Sequence, residues 1–95
     1  MKIEYEHNKT KDEAYKAIDG FLSELKKGYK KMIEGYSESW NSSKDVMNFI
    51  IYTKKFEISG KMQLYDNLVV LEGNVPFWAK WKIEPKIKQK LEEIL

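Results

Sequence analysis

The sequence predicts an α+β two-layer sandwich. An antiparallel sheet of four to five strands carries an N-terminal and a C-terminal helix on one face, in the order β-α-β-β-β-β-α. Three observations carry this expectation. Residues 56–75 alternate apolar and polar side chains on either side of Asp66-Asn67, the pattern of a hairpin with one dry and one wet face. A segment near each end instead spaces its apolar residues at helical intervals. The strands follow one another through short connections, which gives a meander, and both helices must then cover its dry face. Ninety-five residues suffice for a single domain (1–95) with one modest core.

Ile3-Glu4-Tyr5-Glu6-His7 alternates and reads as the first strand. Thr10-Lys11-Asp12-Glu13 has the spacing of a capping box, in which the Thr10 hydroxyl and Glu13 carboxylate each accept from the other's amide. Ala14, Ala17, Ile18, Phe21, Leu22 and Leu25 then form one stripe. The spacing predicts a single helix from Lys11 to about Lys27, with Gly20 inside it at about 1 kcal/mol relative to alanine. Gly28 is the expected C-terminal cap. Lys30 to Trp40 reads either as helix extension through Met32 and Ile33 or as a strand with Met32, Tyr36 and Trp40 on one face. Gly35, Ser37 and Ser39 are poor helix-interior residues and favour the strand.

Asn41 to Asp45 is a turn. Val46 to Thr53 is a strand with Met47, Phe49 and Ile51 on one face, and Lys54-Lys55 is a tight connection. Phe56, Ile58, Gly60, Met62 and Leu64 point inward from the next strand; Val69, Leu71, Gly73 and Val75 do so from its partner, Leu68 to Val75. Pro76 suits the start of a helical turn. Pro85 is unsuited to the interior of an unbroken helix. The expectation is a short turn over Phe77–Lys82 and a final helix from Glu84 or Pro85 to Leu95, its apolar face carrying Ile87, Leu91, Ile94 and Leu95.

Composition narrows the function classes. The chain has no cysteine, which removes disulfides, thiolate metal sites and cysteine nucleophiles together. No apolar run approaches the roughly 18 residues that span a bilayer, and the first residues lack the apolar stretch of a signal peptide, so the reading is cytoplasmic. All 17 basic residues are lysine. Without arginine's planar fork, nucleic acid is a disfavoured partner. The one histidine, His7, has no second histidine or cysteine as a metal partner, and Glu4 and Glu6 read as a solvated strand face. No Gly-x-Ser-x-Gly elbow or glycine-rich phosphate loop is present. The expectation is a protein without catalytic residues, metal or cofactor.

The capped first helix, Trp40 closing the next strand, Phe49 in the following one, Ser59-Gly60-Lys61-Met62, and Val75-Pro76-Phe77 leading to Ile83-Glu84-Pro85-Lys86-Ile87 and Leu91-Glu92-Glu93-Ile94-Leu95 together resemble the polyhydroxyalkanoic acid system family. These are small bacterial proteins often encoded near polyester granule genes. The resemblance implies a cytoplasmic accessory protein and carries over no catalytic residue.

Phe77, Trp78 and Trp81 are the sharpest interaction candidates. The favoured reading places all three in the core. The functional one tucks Phe77 and Trp81 under the sheet edge and leaves Trp78 exposed beside Lys80 and Lys82, facing a partner protein or a granule surface. Lys26, Lys27, Lys30 and Lys31 around Tyr29 offer an alternative, weak single-stranded nucleic-acid contact. A second alternative is a small apolar-ligand carrier with a pocket between helices and sheet, which side chains are expected to fill. The wet face, with Asn48, Ile50, Tyr52, Ser59, Lys61, Gln63 and Val70, offers a surface for a homodimer.

Overall fold

The computed structural model describes residues 1–95 and holds five strands and three helices: β1 (Lys2–Glu6), α1 (Lys11–Ile18), α2 (Phe21–Gly28), β2 (Ile33–Trp40), β3 (Val46–Thr53), β4 (Glu57–Tyr65), β5 (Leu68–Asn74) and α3 (Phe77–Ile94). All strand pairs are antiparallel, in the order β1-β5-β4-β3-β2. The chain is the expected α+β sandwich. Ile3, Met47, Phe49, Ile51, Ile58, Met62, Leu64, Val69 and Leu71 are buried on one sheet face, against Ile18, Phe21, Leu22 and Leu25 and the α3 stripe Ala79, Ile83, Ile87 and Leu91.

The predicted hairpin forms. Tyr65 pairs with Leu68, and Asn67 takes a left-handed φ of 64° at the turn. That turn also docks on the start of α1. The His7 N–H donates to the Asn67 carbonyl (3.0 Å), and the Lys11 N–H donates to Asp66 Oδ1 (2.7 Å). Both capping-box bonds at Thr10 and Glu13 are made, at 3.2 and 3.1 Å. The Glu13 carboxyl is accordingly held below its ordinary pKa, chiefly by the Thr10 backbone N–H.

Three details differ from the sequence-based expectation. The first helix is two helices. Gly20 has φ 95°, a left-handed conformation that stops α1 and serves as the N-cap of α2. Gly28 closes α2 as a helical residue, and the cap position falls to Tyr29. Second, β2 begins at Ile33 and has a bulge between Ile33 and Gly35. The extra residue lets Ile33 and Tyr36, three apart, lie on the helix-covered side, whereas strict alternation from Met32 does not. Third, α3 runs through Pro85 without interruption. A proline inside a helix costs about 3 kcal/mol. Continuity across it keeps Ala79 and Ile83 buried in phase with Ile87 and Leu91, and Ile83 alone returns about 1.5–3 kcal/mol. Pro85 itself lies on the exposed side, where solvent can reach the carbonyl left without a donor.

Candidate functional site

The continuous α3 decides where the aromatic cluster goes. Ala79 and Ile83 face the sheet, so Phe77 and Trp81, four residues apart, lie on the opposite side of the helix's first turns. Phe77 is 83% exposed and Trp81 82%. Trp78, at 55%, stands on the flank, its ring packed edge-on against Phe56 with centroids 5.4 Å apart. The expectation that all three complete the core is therefore corrected, as is the arrangement that tucks Phe77 and Trp81 under the sheet. The physical reason is helix phase: a short turn over 77–82 can aim these rings inward, but a helix continuous with the Ile83–Leu91 stripe cannot. Lys80 and Lys82 are exposed beside them, and Pro85 and Lys88 continue the outer face, with Lys88 paired to Glu84 at 3.4 Å. Ala79, Ile83, Ile87 and Leu91 repeat every fourth residue; read as one stripe across Pro85, that repeat locates the exposed pair.

The lysine cluster is less open than its sequence suggests. Lys26, Lys27, Lys30 and Lys31 are all exposed around the end of α2. Lys27 pairs with Glu24 at 3.5 Å. Tyr29 is half-buried, and the Lys86 ammonium lies 4.9 Å from its ring centroid. A base seeking to stack there meets a ring already engaged.

Glu4 and Glu6 alternate with buried Ile3 on the outer side of β1, and Glu4 pairs with Lys2 at 3.6 Å. His7 is buried, at 8% exposure. Its Nδ1 accepts from the Lys9 N–H at 3.0 Å, while Nε2 has no partner. Burial, and secondarily the Lys9 charge, lowers its pKa. Glu38 has its pKa raised by burial first and by Asp19 second. It pairs across from Phe49, on the helix-covered side of edge strand β2. Its side chain is exposed, and a charge on an edge strand blunts that edge against pairing with another chain. No three histidine, aspartate or glutamate side chains converge as a metal site.

The other face of the sheet has no helix over it. Its side chains include Asn48, Ile50, Tyr52, Ser59, Lys61, Gln63 and Val70, as the alternation predicts. No helix is long and apolar enough to cross a membrane. The gap beneath α2 and α3, among Leu25, Met32, Ile51 and Ile87, measures only about 20 Å³, room for about one water molecule.

A family model described as "Putative polyhydroxyalkanoic acid system protein" matches residues 1–95 of the chain. No curated protein and no solved structure matches it.

Proposed function

The chain belongs to the polyhydroxyalkanoic acid system family, and from that membership and its exposed aromatics we propose that it is a non-enzymatic accessory protein of the cytoplasm, docking on an amphiphilic surface such as that of a polyester granule. The observation that supports this reading is the pair Phe77 and Trp81, each more than four-fifths exposed and adjacent on one helix face. Large aromatics left in water forgo about 1.5–3 kcal/mol of burial each. An apolar surface with a polar coat supplies that burial without a folded partner. Lys80 and Lys82 flank the pair and can lay their aliphatic stems along the surface while their ammonium groups stay wet.

Co-sedimentation with isolated medium-chain polyester granules tests the proposal. The double variant Phe77→Ser, Trp81→Ser removes no core contact, so its melting temperature should stay within about 2 °C of the parent. Granule binding should fall at least tenfold. A variant that still pellets with granules as the parent does would refute docking through this face.

A further inference from the structure

Trp78, on the flank of α3 beside Trp81, forms one wall of a second groove, between α3 and the β3–β4 turn. Met32, Phe56, Trp78 and Ile83 supply its apolar lining, and Lys31, Lys54, Lys55 and Lys82 its rim; no acidic side chain lines it. The groove encloses about 360 Å³. The turn that carries Lys54 and Lys55 is held in shape by Thr53. Its hydroxyl accepts from the Phe56 N–H at 3.0 Å and donates to the Phe56 carbonyl at 2.6 Å. The lysines are thus presented by an ordered turn, at the mouth of an apolar recess.

We infer that this groove binds a single-chain aliphatic carboxylate, with the chain against Phe56 and Trp78 and the carboxylate among the lysines. Charge complementarity picks the head group. Four ammonium groups with no carboxylate among them repel cations and leave a neutral head group unrewarded. Size picks the tail. At about 360 Å³ the groove is at the small end of small-molecule sites, room for one medium-length chain. The site differs from the Phe77–Trp81 surface in its ligand and in its apolar residues, and shares Lys82 with it.

The probe is sodium decanoate, kept below its micelle-forming concentration and followed by nitrogen-15 chemical shifts. Saturable shifts are expected at the Trp78 indole and the Lys54–Phe56 amides, with a dissociation constant of about a millimolar for so small a ligand. Decyltrimethylammonium should bind at least tenfold more weakly. Lys31→Gln, Lys54→Gln, Lys82→Gln, all exposed positions, should lose about tenfold in affinity with an unchanged melt, and raised salt should weaken the parent. Equal binding of anion and cation, shifts centred on the Trp81 indole, or an unaltered triple variant would each overturn the inference. The Phe77→Ser, Trp81→Ser protein should keep decanoate binding in full. Granule docking and carboxylate binding therefore stand or fall separately.

Discussion

Gly60 and Gly73 face each other across β4 and β5, yet adding one methyl group to each should give opposite results. An alanine Cβ at position 60 would overlap the Glu72 carbonyl oxygen and lie 2.7 Å from Gly73 Cα and 3.0 Å from the Glu72 carbonyl carbon. All three are backbone atoms of β5, which is hydrogen-bonded to β1 on one side and β4 on the other. Side chains can yield to an extra methyl group at a cost of about 1–3 kcal/mol. Backbone held from both sides cannot, so Gly60→Ala should cost about 3 kcal/mol or more. For a domain of this size that lowers the melting temperature by roughly 12 °C or more, at about 4–8 °C per kcal/mol. At position 73 the new Cβ meets only Met1 Cε at 3.4 Å, the Ser59 oxygen at 3.6 Å and Ile58 Cγ2 at 3.7 Å. These are ordinary contacts, the nearest being the end of a flexible side chain. Removing a glycine's freedom from the unfolded chain is itself worth about 0.4–1 kcal/mol. Gly73→Ala should therefore match the parent or exceed it slightly. Thermal melts by far-ultraviolet circular dichroism, with urea midpoints as a second measure, read the difference. A Gly60→Ala protein melting within about 4 °C of the parent, or a Gly73→Ala protein that is the worse of the two, would refute the close approach of these strands.

Two pH-dependent effects follow from buried His7 and from Glu38 on edge strand β2. The pKa of folded His7 is lowered below its ordinary 6.5, so the unfolded chain takes up the proton first. Its contribution is fully present above pH 6.5 and is lost as pH falls below it. The urea midpoint should decline from pH 7 to pH 5, and His7→Asn should flatten that segment; a slope that persists in the variant would exonerate the histidine. Glu38 has the opposite sign. Its folded pKa is raised above 4.5, so its ionisation opposes folding increasingly as pH rises through that value. Glu38→Gln should stabilise the protein at pH 7 by about 0.5 kcal/mol, a figure kept small because the residue retains solvent contact. The gain should vanish below about pH 4, and a variant less stable than the parent at pH 7 would contradict it.

The hairpin and the capping box were legible because each is a local rule that nothing distant opposes. Asp66-Asn67 tolerates the left-handed turn, and the flanking alternation sets the register of β4 against β5. The break at Gly20 was not legible from the stripe. Ile18, Phe21, Leu22 and Leu25 keep helical spacing across it, so the pattern of apolar residues is the same with one helix or two. Only the positive φ of a glycine distinguishes them, and glycine is also tolerated inside helices at a modest cost. The β2 bulge was hidden differently. Strict alternation selects Met32 with Tyr36 and Trp40, while one extra residue in the ladder puts Ile33 on the covered side instead. A bulge depends on the partner strand, and no single strand's sequence displays it.

Pro85 shows the same competition at larger scale, and here it bears on function. The local rule ends a helix before a proline; the stripe from Ala79 to Leu91 asks for one helix docked along the sheet. Ile87 and Leu91 dock on the sheet with or without a break; Ala79 and Ile83, held in phase with them, settle it for one helix. Once α3 is continuous, its phase is fixed by the sheet, and Phe77 and Trp81 have no route to the core. Folding therefore gives no reason for two large aromatics at those positions: serine or lysine there would leave every buried contact of the domain intact. Trp78 differs, since its ring packs on Phe56 and so has a structural use as well. The separation leaves Phe77 and Trp81 as the residues through which the proposed granule docking would act. It also makes the double serine variant a clean test, because a loss of granule binding could not be blamed on a loss of fold.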